Sequence, residues 1–393
     1  MKITQEQKDI LSIIMQNGPL SKKDLAKAYH ISIPKATVLI GALDQLGYIQ
    51  YIDGTSTGGR IPQLVKVRDN ITYSVGIDIG TEYLRIGIVD IEGRIVARYQ
   101  EIHDIEVQRE LSIESLYEHF KDLCREAAIL PSSVEGIGVG ITGIIHEEKG
   151  VCLSLRNTPH WKGFNVKKAM QKIFNREKVI LVDSVKAMAL AEKRFGTAKE
   201  LQDFVLINIG IGLGAGIVIN GQLLTGSRGT TGEIGHMQIR PSQDLCVCGN
   251  YGCLEATASG WALLKKCKKA LQEGVETSMG DANSAHALTV QDIIEAANGG
   301  DKIALVMMES IAKDLSVGIG AVINLLNPEK VFLAGGLIRH AGAIMLDPIR
   351  RGVKSSVIPW LQQNIDLQLS TIGEWDAVIG AATLATDSVI REL

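Results

Sequence analysis

Two stretches of this chain repeat one pattern, and that repetition limits its possible folds more than any other feature. Residues 72–100, TYSVGIDIGTEYLRIGIVDIEGRIVARYQ, read as strand, glycine turn, strand, a turn at Glu92–Gly93, and strand. Residues 204–224, FVLINIGIGLGAGIVINGQLL, repeat that order, with Asn220–Gly221 as the hairpin turn. Helical stretches follow each, SIESLYEHFKDLCREAAI after the first and GWALLKKCKKALQEG after the second. The duplication predicts two α/β lobes with a cleft between them. The C-terminal piece WDAVIGAATLATDSVI reads as an amphipathic helix that packs back on the first lobe, which makes the lobes discontinuous in sequence.

The 393 residues are 46% hydrophobic and 22% charged, an ordinary globular composition with room for two or three domains. Net charge is −3, but residues 1–70 carry nine Lys/Arg against six Asp/Glu, leaving 32 against 38 in the remainder. A small basic head precedes an acidic body. No apolar run is long enough to span a bilayer, and MKITQEQKDI has no apolar core of a signal peptide. Three of the six cysteines crowd into positions 246–253 while Cys124, Cys152 and Cys267 are scattered. That is no disulfide framework, and it suits a reducing cytoplasm.

Within the head, EQKDILSIIMQN is an amphipathic helix ending near Gly18, and LSKKDLAKAYHI follows with Ser21 as N-cap. Ser32 and Pro34 open a third helix, IPKATVLIGALDQLGYI. Two strand-like pieces flank GTSTGGR. Three helices and a hairpin are the order of a winged helix-turn-helix. In that reading the third helix enters the major groove, and Lys35, Thr37 and Arg60 of the wing reach DNA. Val38, Leu39 and Ile40 make its face apolar, so phosphate contacts outweigh base readout. The alternative is a helical interaction module whose lysines only solvate it.

His236 is followed by Cys246, Cys248 and Cys253. Imidazole and thiolates suit tetrahedral zinc, and four protein ligands leave no open position, so the expected role is structural. A strained Cys246–Cys248 redox pair and a chance grouping of buried thiols are the rivals. Glu233 and Glu255 flank the cluster, so a metal-fixed loop presents two carboxylates and an imidazole able to bind the vicinal hydroxyls of a sugar.

GEIGH, nine residues, CVCG and NYGCLE together resemble the zinc signature of the ROK family of repressors, open reading frames and sugar kinases. Nearly the whole chain is similar: the head resembles that of the transcriptional-regulator branch, with its xylose and N-acetylglucosamine repressors, and residues 72–393 resemble the two-lobed body of the actin–hexokinase, ribonuclease H-like class. The resemblance implies zinc on His236, Cys246, Cys248 and Cys253. It implies sugar contacts from Glu233, His236 and Glu255, and from Asn157 in LRNTPHW. It implies that Asp183, in LVDSVKAMALAEKRFG, holds the position of the kinase base, where an aspartate accepts the proton of the attacking hydroxyl.

The phosphate loops depart from the kinase pattern of Asp-x-Gly-Gly-Thr-Lys. In DIGTEYLR, Asp78 and Gly80 remain, but Thr81, Glu82 and Tyr83 replace Gly, Thr and Lys. A carboxylate beside a phosphate is repulsive. The second loop keeps Gly210, Gly212, Gly214 and Gly216 but has Ile211 for a threonine, and VFLAGGLI keeps Gly335 and Gly336 of the adenosine side. An eroded nucleotide site beside a complete sugar site implies a sensor, with Asp183 as a sugar contact and ATP not expected as a cofactor.

The expected organisation is a winged head over 1–70 and a sugar-binding body over 71–393. Lobe 1 takes about 71–183 with a C-terminal helix about 376–393; lobe 2 takes about 184–375 with the zinc loop. The expected protein is a sugar-responsive repressor of carbohydrate-utilisation genes, a homodimer or higher oligomer on operator DNA, whose lobes close on a sugar effector. A sugar kinase carrying a DNA-binding head is the alternative.

Overall fold

Each strand–turn–strand repeat becomes three neighbouring strands of a five-stranded sheet. The computed structural model describes residues 3–55, 61–69, 71–102, 109–155 and 158–392. They divide into two units, Met1–Phe195 with Trp375–Leu393, and Gly196–Glu374.

The first unit opens with the head: α1 (Gln5–Asn17), β1 (Leu20–Ser21), α2 (Lys22–Ala28), α3 (Ile33–Gln45), β2 (Ile49–Asp53) and β3 (Gln63–Val67). The starts of α2 and α3 are those the sequence marks. Thr4 and Gln7 close a capping box on α1, Ser21 caps α2, and Ser32 caps α3 with Pro34 in its first turn. The strands form a sheet in the order β1-β3-β2.

The lobe that follows runs β4 (Tyr73–Ile79), β5 (Tyr83–Val89), β6 (Ile95–Ile102), α4 (Arg109–Glu126), β7 (Val134–Ile141), β8 (Ile144–His146), β9 (Val151–Ser154), α5 (Val166–Phe174), β10 (Val179–Asp183) and α6 (Ser184–Phe195). Its large sheet has the order β10-β7-β4-β5-β6, with β7 and β10 parallel to β4.

The second unit comprises β11 (Phe204–Ile209), β12 (Leu213–Ile219), β13 (Gln222–Leu223), α7 (Leu254–Ala258), α8 (Gly260–Gln272), α9 (Val290–Asn298), α10 (Lys302–Leu326), β14 (Lys330–Ala334), α11 (Gly336–Ser356) and β15 (Leu367–Leu369). Its sheet order, β13-β12-β11-β14-β15, matches the first sheet strand for strand: an antiparallel meander with two parallel strands added on the other side of its first strand. Asn220 and Gly221 both take positive φ, as a type I′ turn requires. None of the described helices is long and apolar enough to cross a membrane.

The last helix, α12 (Asp376–Glu392), returns to the first unit. It approaches the sheet so closely that glycine is required opposite it. A Cβ on Gly76 would lie 2.0 Å from the carbonyl oxygen of Val378, and one on Gly138 would lie 1.9 Å from that of Ala381. On the helix itself, a Cβ on Gly380 would lie 1.8 Å from the carbonyl oxygen of Ala187 in α6. Thr386 Oγ1 donates to Ser74 Oγ at 2.8 Å within this seam. Helix α6, expected with the second lobe, therefore sits in the first unit, held by α12 and by the Arg194–Asp387 ion pair.

The head shares its core with this lobe. Ile390 of α12 is buried among Ile10, Leu11, Ile40 and Val67, and Lys8 Nζ donates to the carbonyl of Arg391 at 3.3 Å. Lys66 joins Glu92 at 2.5 Å, and Arg94 joins Asp69 at 2.6 Å.

Gly138→Ala is expected to destabilise the protein by about 3 kcal/mol, because the carbonyl it meets is backbone that cannot rotate away. Gly41→Ala, in α3 with nothing within 4 Å, is expected to gain up to about 1 kcal/mol. Urea denaturation of both variants checks the pair.

Candidate functional site

After β12 the chain makes a 3-10 turn over Ile234–His236 and enters a loop closed by two bridges, Gln238 with Cys253 and Leu245 with Tyr251. Gly249 and Gly252 take positive φ there, which lets the chain fold back between the cysteines. The backbone N–H of Cys246 donates to Asn250 at 2.8 Å and that of Gly249 to Cys246 at 3.0 Å.

The fold brings all four sequence-predicted metal ligands together, with donor atoms within 4.8 Å of one another. Cys246 Sγ stands 3.6 Å from His236 Nδ1, and Cys248 Sγ stands 3.7 Å from Cys253 Sγ. Zinc bonds of about 2.3 Å to sulfur and 2.0–2.1 Å to nitrogen give tetrahedron edges of about 3.5–3.8 Å. The cluster fits that ion. The cysteines are free, and a disulfide needs sulfurs about 2.05 Å apart. Burial pushes the Cys246 thiol up to about 12, so without a cation it stays protonated.

His236 turns its other nitrogen, Nε2, toward Glu233 Oε2 at 3.7 Å. The imidazole thus faces the cysteines through one nitrogen and a carboxylate through the other. Glu255 stands in the first turn of α7, and its Oε2 accepts the backbone N–H of Leu213 at 3.0 Å. That carboxylate ties the metal loop to the second glycine loop. The same loop gives its carbonyls at Gly210 and Ile211 to the first amides of α8, at 2.8 and 3.3 Å. Gly210 and Gly212 lie at this turn, whereas Gly214 and Gly216 lie in β12, paired with Asn208 and Leu206. Gly335 takes positive φ before Gly336 opens α11. Arg240 anchors the loop to α10 by a two-pronged bond to buried Asp314, at 3.1 and 2.7 Å.

In the first unit, Asp183 ends β10, and its Oδ1 accepts the N–H groups of Val185 and Lys186 at 2.9 and 3.1 Å. Ser184 Oγ donates to Asp78 Oδ1 at 2.8 Å, and Arg85 stands 3.6 Å from the other Asp78 oxygen. Burial pushes the Asp78 carboxyl above its ordinary range, against the serine and the arginine. Arg85 also lies over the rings of Tyr83 and Trp375, at 4.8 and 5.9 Å, and Arg98 lies 5.1 Å from the Trp375 ring. Gly80 keeps its tight turn through a bond from its N–H to the Tyr83 carbonyl at 3.1 Å, and Glu82 is exposed beside it.

Sequence reasoning missed two groups. Lys186 is 2% exposed and pairs with Glu147 at 2.8 Å, in the turn of the helix that Asp183 caps. Arg85 fills the neighbourhood of Asp78 with positive charge. The arginine was readable three residues past the loop; a buried lysine in an alanine-rich helix carries no such mark. Asn157 and Arg60 lie outside the described residues.

On α3, Lys35 pairs with Glu6, and Thr37 Oγ1 donates to the Ile33 carbonyl at 2.9 Å. Both side chains remain exposed. The apolar face expected for this helix is corrected: Leu39 and Ile40 are buried in the head's core, and of that trio only Val38, 72% exposed, faces outward.

A profile of the ROK family matches residues 74–388, and one of winged helix-turn-helix DNA-binding domains matches residues 7–50. The chain is 30% identical over 384 residues to a xylose repressor of Caldicellulosiruptor bescii, covering 97% of this chain and 95% of that one. Among solved structures it is similar to a ROK family transcriptional regulator, a homologue of the E. coli MLC protein. The TM-score is 0.79 at 27% identity, over 98% of this chain and 96% of that one. It is also similar to a ROK family glucokinase from Streptomyces griseus in complex with glucose and AMPPNP. There the TM-score is 0.71 at 27% identity, over 80% of this chain and 99% of that one.

Purified protein is expected to carry one zinc per chain by elemental analysis. Cys253→Ala is expected to lose the metal and lower the melting temperature, and a chelator should do the same to the wild type. A metal content of zero with unchanged melting in all three samples would contradict the fit.

Proposed function

The chain belongs to the ROK family, and on that premise we propose that it is a sugar-responsive transcriptional repressor of carbohydrate-utilisation genes, working in the cytoplasm. The observation that carries this reading is the head's union with the body: Ile390 of the last helix is buried in the core of the winged domain, so the head is no loosely tethered appendage. Asn157, Asp183, Glu233, His236 and Glu255 are its proposed sugar ligands. Zinc on His236, Cys246, Cys248 and Cys253 would brace the loop between Glu233 and Glu255, with no open position for chemistry.

Two copies of the chain hold two half-sites of operator DNA, and Lys35, Thr37 and Arg60 supply head contacts. The sugar releases the repressor because it binds better to the conformation that does not hold DNA. The winged domain is taken as 1–70 and the sugar-binding domain as 71–393.

The likeness to the glucokinase favours a second reading, a sugar kinase with a DNA-binding head. Against it stands Glu82 in the first loop, whose carboxylate would repel a phosphate.

A thermal-shift screen with xylose, glucose, N-acetylglucosamine and, separately, Mg-ATP tests the reading. A ligand at 100 times its dissociation constant adds about 2.7 kcal/mol, a rise of a few degrees. One sugar is expected to raise the melting temperature, Glu233→Gln is expected to abolish that rise, and Mg-ATP is expected to leave it unmoved. A shift with Mg-ATP followed by sugar phosphorylation would replace the repressor with the kinase.

A further inference from the structure

The chain as a whole is acidic, yet the thirty residues 149–178 hold eight Lys/Arg and one acid. Helix α5 lies within this run. Val166, Met170 and Phe174 form its buried side, while Lys168 and Lys172 are exposed on the other and Lys167 is half-buried. None of these three ammonium groups pairs with a carboxylate among the described residues. Lys149 and Lys162, outside the helix, are exposed and equally unpaired.

Local stability does not explain the charge. Lys167 and Lys168 occupy the first turn of α5, where the positive end of the helix disfavours cations. Mutual repulsion of the group adds to that cost.

The position of the run supplies the reason. It ends at Lys178, whose Nζ lies 3.3 Å from Glu392 of α12. The neighbouring Arg391 carbonyl accepts a bond from Lys8 of the head. Helix α5 is about 13 Å long, so its lysines begin near the foot on which the winged domain stands. Nor does α5 expose a large apolar side chain of the kind that anchors a protein interface. A row of flexible ammonium groups with no apolar centre matches a ladder of phosphates.

We infer that the lysine face of α5 is a second DNA-backbone contact, holding duplex that runs past the segment gripped by the head. The inference rests on the repressor reading and adds a surface on the body to it.

The test is fluorescence anisotropy of the full chain on a mixed-sequence duplex of about 40 base pairs, over about 50–200 mM salt, where binding is set by phosphate contacts. Lys167→Gln/Lys168→Gln/Lys172→Gln should lower the slope of log affinity against log salt by about 2–3 and weaken binding at least about tenfold at 100 mM. The corresponding triple arginine variant should bind as wild type. Lys172→Gln alone, which keeps the first turn intact, should lower the slope by about 1. On a duplex of about 12 base pairs, too short to pass the head, the glutamine triple and the wild type should agree. Unchanged slope and affinity on the long duplex, with Lys35→Gln still weakening it, would overturn the inference and leave the face to an acidic protein. Failure of the wild type to bind any duplex would instead remove the repressor reading, and this inference with it.

Discussion

The close seating of α12 on β4 and β7 is the contact on which the first unit depends. Backbone carbonyls of the helix meet strand positions that hold only glycine, at Gly76 and Gly138. Gly380 repeats the arrangement against α6. Such contacts leave no slack, since interiors are packed as densely as organic crystals and a single methyl group is felt. One helix therefore fixes three things: the sheet, the helix that Asp183 caps, and, through Ile390, the core of the winged head. A shift at the start of α6 has a direct mechanical neighbour in the element that carries the head.

The second unit is organised around a different constraint. Its loop from Met237 to Cys253 has little core of its own, apart from a small buried group of Cys246, Cys253 and Ala256. The Arg240–Asp314 pair to α10 and the bond from Leu213 to Glu255 hold it in place instead, and four donors that could hold a metal ion converge within it. Removing the arginine would leave the buried Asp314 carboxylate without its partner, a costly change. The outcome is a rigid edge that presents Glu233 and the outward nitrogen of His236.

Much of this was legible in the sequence because it rests on local chemistry. Capping residues at Ser21 and Ser32, the Asn220–Gly221 turn and the duplicated strand pattern all act within a few residues of themselves. The metal ligands were legible because thiolates at close spacing have few other uses. What escaped was set by long-range packing. Leu39 and Ile40 face the core because α1 and the wing strands cover them, which a helix read alone does not reveal. The placement of α6 depends on α12, almost 200 residues later in the chain. Lys186 and Glu147 meet only after β8, β9 and α6 have been assembled.

One helix joins the winged head to the lobe behind it, so in the proposed repressor a sugar on the body changes the grip of the head. The most direct measurement is the affinity of the full chain for a duplex selected in vitro from random sequence, taken with and without each candidate sugar at saturation. The account predicts that one sugar weakens binding at least about tenfold, a coupling of about 1.4 kcal/mol. Equal affinity in the presence of every sugar that raises the melting temperature would contradict it.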